Sequence, residues 1–181
     1  MKTLIVFITL FGSAFAAQTL SAQEVPGASV AAKEHEFLQK FVGQWDMESE
    51  GSGVQGKAVM KSSMLGKLWL VNSSDHKVSG MKMKSIQMIG YDTEKKKYVG
   101  IWADSMINYM WHYEGTVDET GKKLTLDAEG PSMTGDGEMA KYQDAYEFKD
   151  NDTIIATSAV QAEDGKWTVM MKGTAKRRKE K

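Results

Sequence analysis

From Trp45 to Arg178, apolar and polar residues alternate in short runs that are separated by turn sequences. In the segment 123–128, KLTLDA, every second residue is apolar and the residues between are polar or charged. This period of two is typical of a β-strand with one buried face. The pattern predicts antiparallel strands joined by tight turns, and turn sequences that each contain Asp lie at 92–95, 118–121, 149–152 and 163–165.

The strands follow one another without crossover helices, so the sheet must close on itself or leave its edges exposed. We therefore predict an all-β fold, a single antiparallel up-and-down β-barrel of nine or ten strands that occupies residues 31–176. A barrel of this size has room for side chains or for one small ligand.

One segment before the strands has a different period. Residues 31–42, AAKEHEFLQKFV, are rich in helix formers, and Gly43 is a natural stop. The apolar residues form one stripe on a helix of about three turns; they are Phe37, Leu38, Phe41 and Val42. We predict one short N-terminal helix that plugs or flanks an end of the barrel.

The two ends of the chain carry separate signals. Residues 1–23 have a positive start, an apolar run and small residues at Ala14 and Ala16, which predicts a signal peptide cut after residue 23 or after residue 16. The apolar run is shorter than the ~20 residues that a bilayer core requires, so we expect no membrane span and a periplasmic or secreted protein. We expect a flexible leader at 24–30 and a solvated basic tail at 177–181.

Composition narrows the chemistry. The chain has no cysteine, which excludes disulfides, thiolate metal sites and a cysteine nucleophile. Its net charge of −1 argues against nucleic acid or an anionic membrane as the main partner. The oligomeric state is left open.

Several strings occur in a fixed order: GYD at 90–92, W-x-DSM at 102–106, YEG at 113–115, EGPS at 129–132 and Y-x-D-x-x-EF at 142–148. With them the mature chain resembles an uncharacterised bacterial family, the domain of unknown function number fifteen seventy-nine. The resemblance implies a calycin-like barrel, the architecture of lipocalins and fatty-acid-binding proteins. The family is not tied to an activity, so the resemblance implies the fold.

The three histidines are isolated in the sequence. We expect His35 on the helix surface, His76 in a solvated turn and His112 on a strand, packed or hydrogen-bonded. Because their spacing does not match paired metal ligands, we predict no metal site. We expect no cofactor, and the alternative is haem with His112 as its axial ligand.

Carboxylates lie near aromatic residues on the predicted strands. If their faces are inward, Asp104, His112, Glu114 and Asp144 form a polar cluster inside the barrel. Buried carboxylates have raised pKa values, which suits acid–base chemistry. The alternative, which we favour, is that these groups accept hydrogen bonds from Tyr and Trp and order the interior.

Methionine is abundant, with thirteen residues in the chain. Thioethers adapt to varied apolar shapes, so an interior rich in Met and Trp suits a lipophilic pocket, although gap-filling in a packed core explains them equally well.

We predict an exported barrel that binds a small, mostly apolar molecule. The alternatives are an enzyme that uses Asp104, His112 or Glu114 as acid–base groups, and a solid-cored structural or interaction module. No catalytic residue is assigned, and the predicted ligand-binding residues are Trp69, Met88, Trp102, Asp104, Met106, Trp111, His112, Glu114, Tyr142, Asp144 and Met170.

Overall fold

The computed structural model describes residues 29–51, 54–78 and 80–179. A compact unit begins at Ala31. Its elements in chain order are α1 (His35–Gln39), β1 (Gly43–Gly51), β2 (Val54–Leu65), β3 (Trp69–Val78), β4 (Met81–Asp92), β5 (Lys97–Asp104), β6 (Trp111–Val117), β7 (Lys123–Pro131), β8 (Met139–Asp150), β9 (Thr153–Gln161) and β10 (Trp167–Arg177).

The strands of the described residues form one closed antiparallel barrel. Each strand pairs with the next in sequence, and β1 pairs with β10 to complete the ring, with Trp45 opposite Arg177 and Met47 opposite Ala175. Closure leaves no unpaired sheet edge. The predicted all-β up-and-down barrel is therefore confirmed, with ten strands in this part of the chain.

Alternation along each strand decides which side chains enter the barrel. In β7, Leu124 and Leu126 are fully buried, whereas Asp127 between Leu126 and Ala128 is exposed. Paired residues on neighbouring strands point to the same side. The inward face can therefore be followed around the ring from Trp45 to Met60 and onward.

The helix α1 closes one end of the barrel. Its α-helical part has five residues, fewer than the predicted three turns, because the flanking turns close with bonds to the third residue back, as from Val42 N to Gln39 O. The Lys40 ammonium donates to the carbonyl of Gly121, in the β6–β7 turn, and the Tyr98 hydroxyl donates to the carbonyl of Glu34. The predicted plug is thus seated at the β6–β7 turn.

Aromatic rings fill the space under the helix. Phe148 lies 4.8 Å from the ring centroid of Phe41 and 5.8 Å from that of Phe37, both in edge contacts. Trp45 is fully buried, and its indole nitrogen donates to the Phe41 carbonyl at 2.8 Å. Such rings bury large apolar areas, so this end of the barrel is a dry core.

Residues 177 and 178 belong to the same closed end. The Arg177 guanidinium lies 4.1 Å from the ring centroid of Trp45 and donates to the carbonyls of Lys40 and Val42. Arg178 makes an ion pair with Asp46 at 2.6 Å. These first two residues of the predicted basic tail therefore join β10 to the helix and to β1.

Gly43 links α1 to β1 with a positive φ of 133°, a region that favours glycine. A Cβ at this position would lie 2.8 Å from the Arg177 guanidinium. The close turn that seats the helix on the barrel therefore depends on glycine.

The predicted signal peptide, 1–23, and residues 24–28 of the predicted leader lie outside the described residues. Across residues 29–51, 54–78 and 80–179, no helix is long and apolar enough to cross a membrane.

Candidate functional site

A cavity of about 310 Å³ occupies the half of the barrel away from α1. It reaches the loops at that end, where Ile107 of the β5–β6 loop and Met133 of the β7–β8 loop line it and are exposed. Six thioethers line the cavity, which makes much of its wall soft and apolar; they are Met47, Met60, Met83, Met133, Met170 and Met171.

Large aromatic side chains also line the cavity: Trp102, Trp111, Tyr113, Tyr142 and Tyr146. Trp111 and Tyr142 meet edge to face, with their centroids 4.8 Å apart. Trp111 lies against Gly130, where a Cβ would come within 2.2 Å of the indole ring. A side chain larger than hydrogen at Gly130 would push the indole away, so this glycine fixes the position of the cavity wall.

Asp144 on β8 is the most enclosed acid of the cavity. Its carboxyl oxygens accept hydrogen bonds from the Tyr113 hydroxyl at 2.5 Å and from the Ser158 hydroxyl. Burial raises the pKa of Asp144, and the two hydrogen bonds oppose that effect. Burial, together with the charge of Asp144, also raises the pKa of the Tyr113 and Tyr146 phenols above their ordinary value, so both phenols stay neutral.

A second chain of hydrogen bonds crosses from β3 to β8. The Asn72 amide donates to the Gln87 carbonyl at 2.9 Å, and the Gln87 amide donates to the Tyr146 hydroxyl at 3.0 Å. Asn72 is only 4% exposed, and its own carbonyl oxygen has no hydrogen-bond partner among the described residues. The Ser62 hydroxyl, on the residue opposite Asn72 on β2, is the second buried polar group without a partner in the described part of the chain.

His76 and Asp104 form the polar part of the wall nearest the open end. The His76 ring makes an edge contact with Trp102 at 6.1 Å and its Nε2 lies 2.9 Å from the Ser85 hydroxyl. Burial lowers the pKa of His76, against the opposing charges of Asp104 and Asp75. Asp104 accepts hydrogen bonds from two backbone N–H groups of the β5–β6 loop and so orders the loop at the mouth.

The structure places six of the eleven predicted ligand-binding residues in this cavity: Trp102, Asp104, Trp111, Tyr142, Asp144 and Met170. Three others lie elsewhere. Trp69 is on the outer face, where its ring covers Gly90. Met88 is half-buried on the outer face of β4, and Met106 is exposed in the β5–β6 loop.

His112 and Glu114 also lie outside the barrel, because Trp111 and Tyr113 take the inward positions of β6. Glu114 is ion-paired with Lys95 at 2.5 Å and Lys97 at 3.0 Å, which holds its pKa below the usual value. The interior cluster of four, which required inward faces, therefore does not form, since only Asp104 and Asp144 line the cavity. The favoured alternative holds for Asp144, which accepts a hydrogen bond from Tyr113. Neither an acid–base group at His112 or Glu114 nor a haem ligand at His112 can act in the cavity.

Two other histidine assignments are also wrong. His35 is buried at the start of α1 rather than exposed, and its Nδ1 accepts from the Ala32 N–H at 2.9 Å. His76 lies on β3 and lines the cavity instead of occupying a turn. Polar side chains occupy both faces of β3, so the alternation of apolar and polar residues does not show which face is inward. The sequence therefore does not identify His76, Asn72 or Ser74 as lining residues.

Among the described residues, no group of three or more His, Asp or Glu side chains is arranged to hold a metal ion, so their geometry does not support metal binding. What the site offers is an apolar and aromatic enclosure with a few fixed polar groups. Such an enclosure can bind and orient a small molecule.

Two solved structures have the same fold. Rv2717c from M. tuberculosis has a TM-score of 0.60 at 13% identity, over 83% of this chain and 100% of that chain. The S-type phycobiliprotein lyase CPES from Guillardia theta has a TM-score of 0.53 at 14% identity, over 82% of this chain and 94% of that chain. At these identities the likeness concerns the fold alone.

A de novo designed fluorescence-activating β-barrel has a TM-score of 0.44 at 13% identity, over 78% of this chain and 96% of that chain. This TM-score is too low to support a conclusion. No curated protein matches the sequence. The family described as "Protein of unknown function (DUF1579)" matches residues 30–177, which is most of the chain. The chain therefore belongs to the DUF1579 family.

Proposed function

We propose that this protein binds a small, mostly apolar molecule in the cavity at the open end of its barrel. The observation that carries the proposal is the contrast between the two ends of one interior. The α1 end is packed with aromatic rings, whereas the other end encloses about 310 Å³ that side chains leave unfilled.

The size of the cavity agrees with a ligand site. Ligand pockets in proteins range from about 300 to 1,000 Å³, and a single water takes roughly 30 Å³ of liquid volume. The cavity therefore has room for a compact organic molecule, and the interior is not the solid core that a purely structural module would have.

The lining determines what kind of molecule fits. Thioethers adapt to different shapes, and the rings of Trp102 and Trp111 offer flat apolar surfaces. Asn72, His76, Asp104 and Asp144 add a small number of polar groups, several of them held by hydrogen bonds within the wall. Such groups orient a ligand whose body is apolar.

Titration with the uncharged dye N-phenyl-1-naphthylamine tests the proposal. We expect saturable fluorescence enhancement at one site per chain. Ser74→Phe places a ring in the cavity, because Ser74 is buried and lines it, and should abolish dye binding. Ser73→Phe is the matched control, since the neighbouring Ser73 is exposed on the outer face. Absence of saturable binding, or equal loss in both variants, would contradict the proposal.

We also propose that the protein is exported, with support from the charged, apolar and small-residue order of residues 1–23. Mass spectrometry of the protein purified from its host should find a chain that starts at Ala17 or Glu24. A chain that retains Met1 would contradict export by cleavage.

A further inference from the structure

The cavity carries acidic groups without basic partners. Asp104 and Asp144 line it, and no Lys or Arg lies among the lining residues in the described part of the chain. Its one histidine is His76, whose pKa is lowered by burial, so the imidazole is mostly neutral at pH 7. None of the lining residues in the described part of the chain therefore supplies a fixed positive charge.

Asp144 lacks a compensating charge within this structure. Its hydrogen-bond donors, Tyr113 and Ser158, are neutral hydroxyls. Burial raises the pKa of Asp144, because a carboxyl group withdrawn from water ionises at a high cost unless a cation pairs with it. A cationic ligand group beside Asp144 would supply that partner, whereas an anionic group would meet a second negative charge.

Aromatic rings are a further feature of the cavity that suits a cation. The rings of Trp102, Trp111 and Tyr142 line the same cavity, and the negative face of such a ring attracts a cation. Carboxyl groups and aromatic rings are each complementary to a positively charged nitrogen.

We propose that the ligand of this cavity is an apolar amine that binds as its cation, with the charged nitrogen at Asp144 and the apolar body against the aromatic and thioether wall. This inference rests on the proposed function and narrows it. It separates this barrel from one that holds fatty acids or other carboxylates, which would need a basic anchor.

Three probes with the same apolar body test the charge preference: 2-naphthylmethylamine, 2-naphthylmethanol and 2-naphthoate, titrated calorimetrically at pH 7. The first is a cation, the second is neutral and the third is an anion. We expect the amine to bind most tightly and the carboxylate most weakly. Equal affinities, or tighter binding of the carboxylate, would overturn the inference and leave the proposed function standing. Failure of all three to bind would overturn both.

Substitutions of single acidic residues identify which carboxyl group causes the preference for the amine. Asp144→Asn should weaken the amine by roughly 30-fold or more, as when one partner of a buried charge pair is removed, and should leave the alcohol nearly unchanged. Asp104→Asn is a second test in case Asp144→Asn does not fold. Asp127→Asn is the matched control, because Asp127 is exposed on the outer face of β7 and accepts from Gln143 there. An amine preference that survives in both Asp144→Asn and Asp104→Asn would overturn the inference.

Discussion

The two ends of this barrel are built from the same ten strands and yet have opposite interiors. Under α1, fully buried Leu38, Trp45 and Leu124 pack with aromatic rings. At the other end, the same inward positions hold thioethers, Asn72, His76, Asp104 and Asp144 around an open volume. Strand alternation alone does not produce this difference, because the choice of side chain at each inward position decides whether the space is filled.

The comparison shows where stability and where binding are located. Dry aromatic packing gains free energy in proportion to the apolar area that it buries. Polar groups that line a cavity contribute little to stability and can cost free energy when they lack partners. We infer that the closed end holds the fold together and that the open end is free to be shaped for a ligand.

The largest expected effect concerns the closed end. Trp45→Ala should lower the free energy of unfolding by about 3–5 kcal/mol, as large-to-small changes of buried aromatics do, because the indole is fully buried and carries the Phe41 hydrogen bond and the Arg177 contact. Met83→Ala is the comparison at the open end, where the half-buried side chain already borders a cavity; its cost should stay below about 1.5 kcal/mol. If chemical denaturation gives equal losses of unfolding free energy for the two variants, the proposed contrast between the two ends is wrong.

The next effect tests the cavity wall. Gly130→Ala should destabilise the protein by about 1–3 kcal/mol, the usual cost of overpacking, since the new methyl group would meet the Trp111 ring at 2.2 Å. A double-mutant cycle with Trp111→Phe isolates this clash, because the smaller ring should relieve part of the cost. Additive free energies in the two substitutions would show that the predicted contact does not limit the wall.

A pH-dependent effect follows from Asp144. Because burial raises its pKa in the folded state, the folded protein holds this proton over a range above the ordinary value of 3.8 in which the unfolded chain has lost it. Stability therefore falls as pH rises through that range, by at most about 1.4 kcal/mol per pH unit. The titratable groups that face Asp144 are the phenols of Tyr113 and Tyr146, which stay neutral there.

Denaturation of wild type and Asp144→Asn across this range measures the effect. The stability of the variant relative to wild type should increase with pH, whatever the constant offset from the altered hydrogen bonds. Asp127→Asn on the outer face controls for general charge effects. A difference between wild type and Asp144→Asn that does not vary with pH would contradict the burial of this carboxyl group.

The smallest expected effect separates two histidines. His112→Ala should leave dye binding unchanged, because His112 is exposed on the outer face of β6. His76→Ala should weaken it by roughly threefold to tenfold, equivalent to about 1 kcal/mol, since this ring lines the cavity against Trp102. The reverse order in a fluorescence titration would mean that the wrong face of the barrel binds the dye.

The barrel was predictable because its strands repeat a clear period of two, as in 123–128, and because strands without crossovers must close. The inward face of β6 could not be predicted from the sequence. Trp111 and Tyr113 lie on one face and His112 and Glu114 on the other, and the residues of both faces are bulky or polar. The pairing of Trp111 with Trp102 on β5 and the burial of Trp111 and Tyr113 show which set is inside.

The polar residues of the cavity were harder to predict from the sequence than the inward face of β6. Asn72 and His76 lie on β3, where residues 72–77 are all polar or charged and form no apolar stripe. Their inward position comes from the register, in which Asn72 pairs with Ser62 and Gln87, and His76 pairs with Ala58 and Met83. Asp144 was found because two tyrosines flank it in the sequence. Long-range pairing, which one sequence does not display, therefore decides most of the cavity.

Methyl NMR of protein labelled at methionine Cε provides the most direct test of the account. Met47, Met60, Met83 and Met170 line the cavity, whereas Met88 and Met110 do not. On addition of 2-naphthylmethanol, we expect the first four signals to shift together with a single binding curve while the last two stay in place. Shifts confined to Met88 and Met110, or no shifts at all, would contradict a barrel that is closed at one end and binds its ligand at the other.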